Sequence, residues 1–141
     1  MSSIQATFCD DIRHEIGGKV SLIGCYANHL FSEGFPLTAP KLCVHLRILT
    51  DPLFEPTPFS AVITDSEGKE ILRLRTTLTP ENKTQDYSSP GEQQEILAGL
   101  EMPGLKIDGP TTLFVQAEIG GEVLSGPLLH VSLSPEAEAK Q

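Results

Sequence analysis

No apolar run in this sequence approaches the 18 or so residues that span a bilayer, and no basic segment followed by a continuous apolar stretch opens it. Neither a membrane helix nor a secretory leader is expected. Basic residues are scarce, with 10 Lys and Arg against 19 Asp and Glu, a net charge of −9. That balance repels phosphate backbones and anionic lipid surfaces, so neither nucleic acid nor a membrane is an expected partner. Cysteine is limited to Cys9, Cys25 and Cys43. Three thiols cannot all pair within one chain, and no Cys-x-x-Cys spacing suggests zinc or thiol exchange, so a reducing, cytoplasmic setting fits. Helical periodicity is sustained nowhere for ten residues; Ala27 to Glu33 could form one turn at most.

What the chain does have is sheet periodicity punctuated by 11 prolines and 12 glycines. Ile4, Ala6 and Phe8 read as a first strand, and Val20 to Tyr26, apolar on both parities, as a well-covered central one. Between 41 and 50, Leu42, Val44, Leu46 and Ile48 share one face while Cys43, His45 and Arg47 share the other, a period of two. Phe59, Ala61 and Ile63 continue the pattern, and a turn at 65–69 leads into Leu72 and Leu74. Glu95 to Met102 adds a strand with Ile96, Ala98, Leu100 and Met102 on one face. Leu113 to Ile119 meets a return strand through Gly120-Gly121, which can supply the positive φ of a tight turn, and Gly126-Pro127 marks a bulge or an edge in that return strand. The expected fold is all-β: an antiparallel two-layer β-sandwich of immunoglobulin-like shape with seven to eight strands, a barrel being the alternative. One domain over 1–133 and a frayed acidic tail over 134–141 complete the expectation.

Ionisable residues crowd the segment Phe8-Cys9-Asp10-Asp11-Ile12-Arg13-His14-Glu15, which is followed by Gly17-Gly18-Lys19. Cys9, Asp10, Asp11, His14 and Glu15 offer thiolate, carboxylate and imidazole ligands to a divalent metal, yet their spacing matches no standard zinc or calcium site. Cys9, His14 and Asp10 or Asp11 supply the pieces of a nucleophile, base and orienting acid, but neighbours on an extended strand alternate faces. Gly17-Gly18-Lys19 precedes a strand where a phosphate loop would open a helix. The favoured reading is a charged connector between strands, with Asp10 or Asp11 paired to Arg13 and Glu15 to Lys19. His45 with Arg47, and His130 on the outward parity of the last strand, suit a solvated sheet face. Segment 80–94 has the composition of a surface loop, and its Asn82-Lys83-Thr84 sequon carries no weight without secretion.

The run 8–13 together with Glu15, Gly18, Lys19, Ser21, Gly24 and Tyr26 resembles the opening signature of a family of small bacterial and phage-associated proteins of unknown function. The likeness is distinctive over about the first 26 residues and implies a bacterial or phage cytosolic protein, with no catalytic residue carried over. The leading expectation is a non-enzymatic protein-binding module without a cofactor. Its contact surfaces are the loops 10–19 and 80–94, represented by Asp11, Arg13, Glu15, Lys19, Asn82, Lys83, Asp86 and Tyr87. The alternatives are a metal or small-ligand binder using the 9–15 cluster, and a structural subunit of a homo-oligomer or phage assembly.

Overall fold

The computed structural model describes residues 2–80 and 93–140. Nine strands occur among them: β1 (Ser3–His14), β2 (Val20–Cys25), β3 (His29–Ser32), β4 (Leu37–Thr50), β5 (Thr57–Thr64), β6 (Glu70–Leu78), β7 (Gln94–Ile107), β8 (Thr111–Ile119) and β9 (Glu122–Leu133). A short helix, α1 (Pro135–Ala139), follows. A four-stranded sheet runs β2-β1-β4-β7 and a five-stranded sheet runs β3-β9-β8-β5-β6. The all-β, two-sheet expectation is met, with two differences. The described strands number nine, and β3 pairs with β9 in parallel while every other pairing is antiparallel.

The period of two puts the core between the sheets. Leu42, Val44, Leu46 and Ile48 of β4 are fully buried and face Ala61 and Ile63 of β5, Leu113 and Val115 of β8, and Leu129 and Val131 of β9. Each such Leu, Ile or Val side chain contributes about 1.5–3 kcal/mol on leaving water. Gly120 and Gly121 adopt φ of 55° and 87°, the two positive values that a tight β8–β9 turn requires. Register slips between Phe114 and Gln116, opposite Gly126-Pro127, so the foreseen interruption is a bulge.

Three local expectations fail. Val20–Cys25 is the outermost strand of its sheet among the described residues, with Val20 and Ile23 about two-fifths exposed, because a described strand flanks it on one side only. Residues 29–32, for which one helical turn is the upper limit in sequence, extend as β3 because β9 supplies hydrogen-bond partners. β1 continues to His14, so Cys9 to His14 belong to a strand and the connector shrinks to the turn 15–19. The final residues are not all frayed: Ser134 caps α1 by accepting from the Ala137 N–H at 3.1 Å, and Ala137 is buried. The contact candidates Asn82, Lys83, Asp86 and Tyr87 lie outside the described residues.

Candidate functional site

The β1–β2 hairpin turns about Gly17, which places Cys9 opposite Cys25; on its other side Cys9 faces Cys43 of β4. All three cysteines therefore stand in one transverse row of the sheet, which Glu101 of β7 continues. Tyr26 donates its N–H to Phe8 O at 2.8 Å, so the next pair along, Cys9 with Cys25, is a non-hydrogen-bonded one, the closer type at about 4.5 Å between Cα atoms. Beyond Cys9 the register with β4 stops and the chain crosses the outer face of the sheet. The Cys43 thiol donates to Asp10 O at 3.7 Å, and Ile12 comes so close to β7 that a Cβ at Gly99 would lie 3.3 Å from its Cδ1. Ile12 and Leu22 thus cover Cys9 and Cys43 in a second, small apolar cluster.

That cover makes the inner thiols poor nucleophiles. Burial, then the neighbouring Cys43, Cys25 and Asp10, push the Cys9 thiol up to about 11, and burial raises Cys43 as well despite the nearby Lys41 ammonium. His14 lies five residues further along β1, about 16 Å from Cys9 at strand rise, so the sheet does not assemble Cys9, His14 and a carboxylate into one group. Cys25 is exposed.

The charges pair differently from the sequence expectation. Neither Asp10 nor Asp11 is held by Arg13. Asp11 meets Lys41 Nζ at 2.7 Å, and Glu101 meets the same ammonium at 3.5 Å. The pairing lowers the Asp11 carboxyl below its usual range and raises Lys41. Asp10 instead accepts from the Tyr26 hydroxyl at 2.5 Å, its carboxylate lying against Gly24, where any Cβ would overlap it. Glu15 and Lys19 are joined through the backbone, Glu15 N to Lys19 O at 2.8 Å. Of the proposed ligand set Cys9, Asp10, Asp11, His14 and Glu15, only Asp11 enters a cluster with metal-like spacing among the described residues. Its partners there are Cys43 and Glu101, with ligand atoms within 4.8 Å of one another. The Lys41 ammonium already supplies that cluster's cation.

A family model described as "Family of unknown function (DUF6941)" matches residues 4–132, from the second residue of β1 to the penultimate residue of β9. The chain belongs to that family. No curated protein matches it.

In this DUF6941 chain β7 is an edge strand of the four-stranded sheet. Since the Phe8–Tyr26 pair is hydrogen-bonded, alternation directs the Cys9 backbone to β4, Val44 to Leu100, and hence the N–H and C=O groups of Glu95, Leu97, Gly99 and Glu101 away from β4. Pro103 has the same parity, consistent with proline's restriction to positions whose N–H would face away from the ladder. Among the described residues no strand pairs with that side.

Sequence reasoning overlooked the cysteine row, Lys41, Glu101 and the Asp10–Tyr26 bond. One signal was present: Cys9 and Cys25 are equidistant from Gly17, so a turn centred there sets them opposite each other. Nothing local indicates Cys43, which comes in through the β1–β4 pairing.

Proposed function

We propose that the protein is a non-enzymatic interaction module, an immunoglobulin-like sandwich that accepts an extended protein segment as an added strand along β7. The strand order supports the immunoglobulin-like reading. β4 crosses to β5, β5 and β6 form a hairpin, β7 returns beside β4 and β8 beside β5, and β9 closes a hairpin with β8, a Greek-key path. The observation that carries the binding role is the outward row of backbone groups at Glu95, Leu97, Gly99 and Glu101. Main-chain hydrogen bonds to such a row supply affinity, and the alternate side chains of the incoming strand supply specificity. Leu97 is exposed at the middle of the row, while Glu95 is held by Arg47 at 2.9 Å and Glu101 by Lys41. The likeness of residues 8–26 supports a bacterial or phage source and a cytoplasmic setting.

The test is a partner isolated from the native host, then remade from purified components. Leu97→Pro removes an outward N–H without removing a bond to β4, so the fold is retained by circular dichroism while affinity falls at least about tenfold. Ile23→Lys, on the opposite edge of the same sheet, serves as the control. Equal affinity for wild type and Leu97→Pro would sink the proposal, and light scattering distinguishes a second copy of the chain from a different partner.

A further inference from the structure

The outer face of the five-stranded sheet carries two histidines side by side. His29 of β3 and His130 of β9 are register partners, and their ring centroids lie 5.0 Å apart with planes inclined by 39°. Each ring is tethered at Nδ1: that of His29 lies 2.9 Å from Oδ1 of Asn28, and that of His130 lies 3.0 Å from Oγ1 of Thr112. An amide oxygen only accepts, so Nδ1 of His29 donates in that bond and Nε2 is the ring nitrogen left for a ligand. Phe31 stacks on His29 at 5.3 Å and 10°, which further limits rotation of that ring. Ser66, Thr111 and Ser132 line the shallow pocket beside the pair.

We propose that His29 and His130 form a two-imidazole site for a borderline divalent transition metal ion of the nickel, copper and zinc group. The spacing suits it. With each Nε2 about 2.0–2.1 Å from a shared ion, ring centroids stand about 4.5 Å apart at a right-angled N–metal–N and about 5.2 Å apart at a tetrahedral one. The observed separation falls between these. The Nδ1 tethers are the support that metal-binding histidines ordinarily have, a hydrogen bond on the nitrogen that does not ligate. Imidazole nitrogen selects this group of metals, and no carboxylate lines the pocket to favour calcium or magnesium. The net charge of −9 concentrates cations near the surface. Water and the pocket hydroxyls complete the coordination. The bound ion staples β3, a four-residue edge strand, to β9.

The probe is Ni²⁺ alone, titrated into the full chain by calorimetry and followed by paramagnetic broadening of backbone amide resonances. One ion is expected per chain, with broadening centred on Leu30, Thr112 and Val131 and a melting temperature that rises with metal concentration. His29→Ala and His130→Ala each weaken binding by at least about tenfold. Asn28→Ala, which keeps both rings and frees Nδ1 of His29, weakens it by a smaller factor. The double variant His14→Ala/His45→Ala binds as wild type does. Should His130→Ala fail to fold, the exposed edge position His29→Ala decides alone. The site is refuted if Ni²⁺ gives neither heat nor broadening at millimolar concentration, if His29→Ala binds as tightly as wild type, or if the His14/His45 variant loses the ion.

Discussion

Replacing Gly24 with alanine tests the packing of the opening hairpin at one atom. Gly24 sits within β2 at a φ of 67°, and its missing Cβ is what lets the Asp10 carboxylate lie across the strand to reach Tyr26. Two costs follow. The left-handed backbone costs a residue with a side chain about 1–2 kcal/mol. Displacing Asp10 removes a hydrogen bond to a charged acceptor, which at this exposed site is worth about 1 kcal/mol. The expected loss is about 2–3 kcal/mol, or roughly 6–9 °C in melting temperature for a chain of this size. Gly17→Ala is the internal standard, because φ there is 86° and a Cβ would meet nothing within 4 Å. It bears only the backbone cost, about 1–2 kcal/mol, and any gain from a stiffer unfolded chain is common to both variants. Chemical denaturation of Gly24→Ala, Tyr26→Phe and the double variant then isolates the contact, with a coupling of about 1 kcal/mol expected. If Gly24→Ala costs no more than Gly17→Ala, or adds to Tyr26→Phe without coupling, the proposed role of Asp10 is wrong.

Three further outcomes are expected. Under native conditions an aromatic disulfide reagent should label Cys25 rapidly and spare Cys9 and Cys43, with all three reacting in denaturant; rapid native labelling of three thiols would contradict the cover by Ile12 and Leu22. Tyr26, pushed up to about 12 from 10.0 by burial and then by Asp10, keeps its proton in the folded chain over a range where the unfolded chain loses it. Stability should therefore fall as pH rises from about 10 to 12 and fall less in Tyr26→Phe, with tyrosinate absorbance reporting the titration in a chain that has no tryptophan. Leu46→Ala, at a fully buried centre of β4, should cost about 2–5 kcal/mol in urea unfolding, and a cost under 1 kcal/mol would place Leu46 outside the core.

The parts of the fold legible in the sequence are those governed by parity and turn chemistry. Alternation at Leu42, Val44, Leu46 and Ile48 identified the inner face of β4, and Gly120-Gly121 identified a hairpin, because both signals are complete within a few residues. Neighbour identity is not local. Val20 to Cys25 has the composition of a covered strand yet lies at an edge, since apolar residues on both parities do not report how many strands flank them. His29–Ser32 is too short for a period and extends only because β9 receives it. The opening cluster was conspicuous by composition, but its partners Lys41, Glu101 and Cys43 come from β4 and β7, so pairing Asp10 or Asp11 with the nearby Arg13 chose the wrong cation.

The parallel bond between β3 and β9 joins the first quarter of the chain to the last strand. On a ribosome, β3 must wait while about 100 further residues are made, some 5–20 s at ordinary rates of synthesis. Until β9 emerges, β8 lacks its hairpin partner and β3 lacks the one strand it pairs with among the described residues, so the nascent chain exposes unsatisfied strand edges of the kind that aggregate. Completion of the five-stranded sheet is thereby tied to the synthesis of β9, and a message truncated before β9 should yield a product destined for proteolysis.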